Sequence, residues 1–131
     1  YAPPWGVSIV LILQVENRLK RAGIVDNILA GSLYTRSGKW KHVIVVDEDI
    51  NIEDPNEVLW ALTTRFQPAT DMYVIPRGIT STLEPSATAE GVTSKLMLDL
   101  TIKQNFRGEV AEPVDTMRRA VLQRWKEYGF K

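Results

Sequence analysis

Residues 42–71 read HVIVVDEDINIEDPNEVLWALTTRFQPATD, and this stretch decides the fold. It opens with a β-branched apolar run at 42–46, which predicts a strand buried on both faces. Acidic residues follow, and then a helix start, because Asp54 is a good N-cap and Pro55 suits the first helical position. Glu57 stands three residues after Asp54, as a capping box requires. The stretch therefore predicts a strand, an acidic turn and a helix, which is the repeating unit of an α/β fold.

The helix that begins at Asp54 is predicted to face a core. Leu59, Leu62 and Phe66 recur at helical spacing, which places them along one face. Pro68 is expected to stop this helix, because a proline disfavours helical geometry in the residue before it.

The flanking sequence continues the alternation of strands and helices. It predicts strands at 8–15, 71–75 and 95–102, and helices at 16–33 and 113–128. Residues 79–93 lack periodicity and are bracketed by Gly78 and Gly91, and loops of such length are usually functional or disordered. The order β-α-β-α-β-loop-β-α predicts one α/β domain over residues 1–131, with a mostly parallel sheet and flanking helices.

The composition excludes several classes of function. The 131 residues carry 16 basic and 16 acidic side chains, and this balance gives no support for a nucleic-acid partner or a polybasic membrane surface. Cysteine is absent, which excludes disulfides, Cys-ligated zinc and thiol catalysis and fits a cytoplasmic location. No apolar run approaches the roughly 20 residues of a membrane span. Because the chain begins at Tyr1 rather than Met, we interpret it as a piece of a longer protein.

One candidate site is the acidic triplet Asp47, Glu48 and Asp49. It lies at the carboxyl edge of the predicted sheet, where open α/β sheets bind ligands. One interpretation is a magnesium site for phosphoryl transfer or phosphate sensing, with Lys95 as the phosphate partner. The other is structural, with the carboxylates accepting backbone hydrogen bonds and pairing with Arg65. The structural interpretation is favoured, because no second acidic cluster completes a metal site.

Two further features have simpler interpretations. His42 is the only histidine, and without a Ser, Cys or second His partner it is expected to be a strand-edge residue rather than a catalytic base or metal ligand. The final helix carries an apolar stripe of Val114, Met117, Val121, Trp125 and Tyr128. Such a stripe must be covered by this domain or by a neighbouring chain, so a non-catalytic assembly module is a further interpretation.

Specific motifs run through the centre of the chain. The pattern W-A-x-x-T-R-x-x-P-x-x-D is matched by Trp60, Ala61, Thr64, Arg65, Pro68 and Asp71. Residues 83–86 read L-E-P-S, similar to L-D-P-S, and residues 91–95 read G-V-T-S-K, similar to G-x-x-S-K. These motifs resemble the C-terminal domain of the UbiD family, whose members decarboxylate or carboxylate aromatic and α,β-unsaturated acids using prenylated FMN. The chain departs from the family pattern at 96–101, where L-M-L-D-L-T replaces M-G-I-D-A-T.

The resemblance implies that the chemistry lies largely outside this chain. In the family, a preceding flavin-binding domain supplies a Glu-Arg-Glu catalytic set and the metal ligands, and that domain is absent from these residues. The intact enzyme would hold prenylated FMN with a divalent metal and potassium, whereas the isolated chain would bind no cofactor and would be inactive. Its expected partners are the flavin-binding portion and further copies, as a dimer or a hexamer. The acid used, the direction of the reaction and the size of the oligomer stay open.

The resemblance also places the segment after the third strand beside the flavin, where it closes the substrate pocket. Ile79, Thr80 and Leu83 are therefore the predicted substrate-binding residues, since a cleft for an aromatic acid needs apolar sides. The alternative is that Ile79 and Leu83 only anchor the loop to the core. No residue of this chain is assigned to catalysis, to the cofactor or to a metal.

Overall fold

Strands and helices alternate through the part of the chain that the computed structural model describes, which comprises residues 1–4, 9–33, 39–81, 83–104, 106, 108 and 115–129. The strands are β1 (Val10–Val15), β2 (His42–Asp47), β3 (Met72–Ile79) and β4 (Val92–Asp99). The α-helices are α1 (Ile24–Leu33), α2 (Pro55–Thr64), the single turn α3 (Pro68–Asp71) and α4 (Asp115–Gln123). Short 3-10 segments occupy Asn17–Leu19 and Trp125–Tyr128.

The strands form one sheet in the order β1-β2-β4-β3. β1 pairs with β2 in parallel, and β2 pairs with β4 in parallel, with His42 opposite Leu96. β3 pairs with β4 in the antiparallel sense, with Ile79 opposite Val92. The predicted α/β class, with a mostly parallel sheet and flanking helices, is confirmed.

The core has two halves, one on each face of the sheet. On the α2 side the buried residues are Val10, Ile12, Val46, Ile50, Val58, Ala61 and Leu100. On the α1 side they are Val15, Leu29, Val43, Val45 and Met97. Because β2 contributes to both halves, it is buried on both faces, as its continuous apolar run predicts.

The start of α2 confirms the predicted cap but not the capping box. The Asp54 carboxylate accepts a 2.8 Å hydrogen bond from the backbone N–H of Asn56, and Pro55 opens the helix. The Glu57 carboxylate accepts instead from the N–H of Asn51, at 2.6 Å, so it braces the preceding turn rather than the cap. The helix ends at Thr64, and Pro68 begins α3 rather than stopping α2.

The third strand differs most from the sequence prediction. It was expected over 71–75, ending at Pro76, and in parallel with its neighbours, but β3 continues to Ile79 and is antiparallel. A register irregularity between Ile75 and Gly78 accommodates Pro76. β3 is an edge strand, where a proline need not donate a hydrogen bond to the ladder.

The other boundaries shift by smaller amounts. The helical pattern at 16–33 divides into a 3-10 turn and α1, separated at Gly23, whose φ is +79°. The strand expected at 95–102 lies at Val92–Asp99. The helix expected at 113–128 becomes α4 and a 3-10 turn, and Pro113 and Val114 lie outside the described residues. Within the described ranges, no helix combines the length and apolarity that crossing a membrane requires.

Candidate functional site

The segment that joins β3 to β4 is the loop to which the sequence assigned substrate contacts. It begins at Thr80, whose backbone N–H donates to the carbonyl of Gly91 at 3.1 Å, so its two ends meet. Gly91 has a φ of +72°, a conformation that a residue with a side chain adopts only with strain. Since β3 is antiparallel to β4, the loop lies at the amino-terminal edge of the parallel strands, opposite the edge at which Asp47 ends β2.

The three predicted substrate-binding residues separate into two environments. Ile79 is 75% exposed and Leu83 is 70% exposed, whereas Thr80 between them is only 8% exposed. The anchoring alternative required Ile79 and Leu83 to pack into this chain's core, and their exposure contradicts it. Thr80 is the buried residue of the three, and Ile79 and Leu83 on either side of it present apolar side chains outward.

Thr80 donates a hydrogen bond to the buried carboxylate of Glu84, which belongs to the L-E-P-S motif at 83–86. Glu84 is 5% exposed, and its Oε2 accepts a 2.7 Å hydrogen bond from Thr80 Oγ1. Its Oε1 accepts from Thr93 Oγ1 at 3.0 Å, and also from Ser86 Oγ and Lys41 Nζ. We call these five residues the Glu84 cluster. They join both ends of the loop to β4 and to the entry of β2.

The hydrogen bonds keep Glu84 ionised despite its burial. Burial alone raises the pKa of this carboxyl, but the bonds from Lys41, Ser86, Thr80 and Thr93 outweigh it and lower the pKa to about 2. The Glu84 carboxylate is therefore a fixed anion around which polar side chains of the loop and sheet are ordered.

Lys95 lies beside the Glu84 cluster, and its side chain packs against Gly78 near the end of β3. Its side chain is buried, and its Nζ donates to the carbonyl of Trp40 at 2.8 Å. A Cβ at Gly78 would lie 2.6 Å from Lys95 Cε, so a side chain at this position would displace Lys95 from this path. Burial lowers the pKa of Lys95, partly offset by the charge of Glu84. The pKa of His42 is lowered as well, first by burial and then by the charge of Lys41.

The acidic triplet lies at the other edge of the sheet and is engaged by protein groups. Asp47 accepts from Lys20 Nζ at 2.7 Å and from the backbone N–H of Ile102 at 2.5 Å. Glu48 accepts from the side chain of Asn17 at 2.9 Å. These bonds support the structural interpretation of the triplet.

Asp49, the third member of the triplet, pairs with Arg65 as the sequence suggested. Arg65 Nη1 and Nη2 donate to its carboxylate, at 2.9 and 2.5 Å, and this hydrogen bonding lowers the pKa of Asp49. The Arg65 side chain is 1% exposed, and its guanidinium lies 5.0 Å from the centre of the Trp60 ring.

The magnesium constellation expected as an alternative is not assembled. Lys95 precedes Leu96, which lies opposite His42 at the start of β2. Asp47 ends that strand, and six residues of strand span roughly 20 Å. Among the residues that the structure describes, no three His, Cys, Asp or Glu side chains form a group that could hold a metal ion.

The W-A-x-x-T-R-x-x-P-x-x-D motif, the most specific of the sequence, has a structural role. Ala61 is fully buried against the sheet, and Thr64 Oγ1 donates to the carbonyl of Trp60 at 2.8 Å. Asp71 accepts from the backbone N–H of Gln67 at 2.8 Å and pairs with Lys103. The motif therefore fixes α2 and the turn α3 that leads into β3.

The final helix presents its apolar stripe outward. Met117 is 67% exposed, Val121 42%, Trp125 45% and Tyr128 46%. Val114 lies outside the described residues. The described side chains of this stripe thus keep about half of their surface accessible.

Comparison with known proteins identifies the family. Residues 1–100 match the family model described as the 3-octaprenyl-4-hydroxybenzoate carboxy-lyase C-terminal domain, UbiD_C. A curated relative, the anhydromevalonate phosphate decarboxylase of Aeropyrum pernix, is 54% identical over 61 residues, which are 47% of this chain and 14% of that protein.

Solved structures of UbiD-class enzymes show the same fold. HmfF from Pelotomaculum thermopropionicum, solved in complex with FMN, matches with a TM-score of 0.67 and 34% identity, over 84% of this chain and 24% of that chain. The vanillic acid decarboxylase of Sedimentibacter hydroxybenzoicus matches with a TM-score of 0.72 and 26% identity, over 95% of this chain and 27% of that chain. The chain thus spans about a quarter of these enzymes or less. Its sequence and its fold place it in the UbiD family, as a C-terminal domain of that family.

Proposed function

We propose that this chain is the domain that closes the substrate pocket and builds the oligomer in a UbiD-like decarboxylase. The enzyme would act non-oxidatively and reversibly on an aromatic or α,β-unsaturated carboxylic acid in the cytoplasm. The observation that carries the proposal is the family match combined with the exposed pair Ile79 and Leu83. Two large aliphatic side chains on a loop that is anchored from beneath suit contact with a ring or an alkene.

The cofactor of the proposed enzyme is prenylated FMN, with a divalent metal and potassium, bound chiefly by a flavin-binding portion. The aliphatic surface of Ile79 and Leu83 fits the role of covering a flat ring system. We assign no residue of this chain to a metal, nor to the flavin phosphate. When bound, the flavin would supply the group that takes up negative charge as the bond to the carboxylate breaks.

This chain's own contribution is then to orient the substrate and exclude water. Ile79 and Leu83 would contact the apolar part of the acid, and Thr80 would hold them in place through Glu84. Because apolar walls leave few positions for the carboxylate, they favour one orientation of the acid. Residues that touch the reacting atoms would come from the flavin-binding portion.

The exposed stripe on α4 supports a role in assembly. Two large apolar side chains on α4 and two on the 3-10 segment that follows it are 42–67% exposed, and soluble proteins usually bury such a surface against a partner. A second copy of the enzyme is the proposed occupant, as part of a dimer or a hexamer.

The direct test is complementation between the two portions of the enzyme. A flavin-binding portion reconstituted with prenylated FMN should release carbon dioxide from an aromatic acid faster when this chain is present, as a fusion or in trans. An equal rate with and without this chain would contradict the proposal.

A further inference from the structure

The Glu84 cluster does more than fill space beneath the loop. Glu84 lies next to Leu83 in the sequence, and the hydroxyl that it binds belongs to Thr80, next to Ile79. Each of the two exposed side chains proposed to contact substrate therefore belongs to a residue that directly adjoins one partner of the buried hydrogen bond. A change in the length or direction of that bond would therefore act on backbone that directly adjoins both side chains.

The carboxylate is the shared acceptor of otherwise separate elements. Thr80 directly follows β3, Thr93 belongs to β4, Ser86 to the loop, and Lys41 to the segment before β2. Each of these groups donates to Glu84, and hydrogen bonds to an ionised acceptor are stronger than those between neutral groups. Without the carboxylate the four donors would have no common partner, and a buried donor without a partner is costly.

The loop backbone depends on the same arrangement. The N–H of Glu84 donates to the carbonyl of Ser81 at 3.1 Å, and that of Thr88 donates to the carbonyl of Val92 at 2.9 Å. These are turn contacts within a short segment, whose closure brings little apolar burial, because Ile79 and Leu83 point outward. The polar cluster therefore adds to these turn contacts a set of side-chain bonds that join the loop to β4 and to the segment before β2.

We propose that Glu84 is a positioning residue: through Thr80 and the cluster it sets where Ile79 and Leu83 lie, and so which sizes of acid the pocket accepts. The inference rests on the proposed function. It assigns the acidic position of the L-E-P-S segment a role in specificity rather than in catalysis.

The experiment uses two measurements on the same variants. Hydrogen exchange on the 131-residue chain reports the loop, and the kcat/KM ratio for a small and a bulky aromatic acid in the reconstituted enzyme reports the pocket. The variants are Glu84→Ala, which removes the acceptor, and Glu84→Asp, which keeps a carboxylate. Glu90→Ala is the matched control, since Glu90 is an exposed acid on the same loop.

For Glu84→Ala we expect the amides of Thr80 and Glu84 to exchange at least tenfold faster, with the β2 amides unchanged. The kcat/KM ratio between the two acids should change at least threefold. Glu84→Asp should restore most of both properties, and Glu90→Ala should behave like the unmodified protein.

Each contrary result has a separate meaning. Unchanged loop exchange in Glu84→Ala would overturn the positioning role, and so would faster exchange with an unchanged kcat/KM ratio, since Glu84 would then be structural only. If the unmodified reconstituted enzyme released no carbon dioxide from any acid, the proposed function would fail, and the substrate role of the loop with it.

Discussion

Thr80 and Glu84 are joined by a buried 2.7 Å hydrogen bond, while Ile79 and Leu83, their immediate neighbours, are both at least 70% exposed. Buried polar side chains thus fix one side of this segment to the scaffold, and exposed apolar side chains on its other side are available to contact a ligand. The relationship explains how a segment of small polar residues holds two large apolar side chains in defined places. The first and the last of our predictions concern this loop.

The first prediction is a dependence of stability on acid. Because hydrogen bonding lowers the folded-state pKa of Glu84 to about 2, below its ordinary value of 4.5, the folded chain binds fewer protons than the unfolded chain between these values. The stabilisation is fully present above about pH 4.5 and is lost as the pH falls toward 2. Unfolding free energies of the unmodified chain and of Glu84→Gln should therefore converge across this window.

Glu53→Gln is the control for that series, since Glu53 is exposed and lies outside the cluster. The free energy of unfolding of Glu53→Gln should differ little from that of the unmodified chain at every pH from 6 to 2. A gap between Glu84→Gln and the unmodified chain that does not narrow on acidification would contradict the assignment of an ionised Glu84.

The second prediction concerns the ion pair at the opposite edge of the sheet. Replacing Asp49 with Asn weakens two charge-assisted bonds to the buried Arg65, and we expect a loss of about 1–3 kcal/mol in the free energy of unfolding. Millimolar magnesium should not change the melting temperature of the unmodified chain. A clear rise with magnesium would favour a metal site at the triplet instead.

The third prediction concerns assembly through α4. Val121→Glu places a charge within the exposed stripe and should lower the oligomeric state of the enzyme, measured by light scattering. Gln123→Glu, about half a turn round the same helix, adds the same charge away from the stripe and should leave assembly unchanged. Equal behaviour of the two variants would remove the stripe from the interface.

The fourth prediction is that the isolated chain is inactive. The resemblance places the catalytic acid–base set in the flavin-binding portion, so 131 residues incubated with prenylated FMN and a hydroxybenzoate should release no carbon dioxide. Measurable release by this chain alone would mean that catalytic groups lie within it.

The bounds of β2 and the start of α2 were predictable because their causes are local. The apolar run at 42–46 and the Asp54-Pro55 helix start each carry a signal within a few residues, and β2 and α2 begin within a residue of the expected positions. The pairing of Arg65 with Asp49 was also accessible, since few groups can neutralise a charged side chain inside a helix-covered core.

The direction of β3 was not predictable, because it depends on pairing with a strand that follows more than ten residues later. Pro76 and Gly78 indicated a strand end, yet an edge position tolerates the proline, and Lys95 occupies the space above Gly78. The burial of Glu84 follows from that pairing. Only the antiparallel contact of β3 with β4 brings Thr80 and Thr93 to the same carboxylate, and no local pattern reports it.

The central claim is that the outward side chains of this loop contact the substrate. Ile79→Ala in the reconstituted enzyme should change the ranking of acids by ring size, by roughly 1–3 kcal/mol of pocket contact. Since Ile79 is 75% exposed, the same change should leave the melting temperature of the chain nearly unaltered.

The most direct measurement is the ratio of kcat/KM for a bulky and a small aromatic acid, compared between Ile79→Ala and the unmodified enzyme. We expect the ratio to rise in favour of the bulky acid, because the shorter side chain leaves room for the larger ring. An unchanged ratio would contradict the account and remove Ile79 from the substrate pocket.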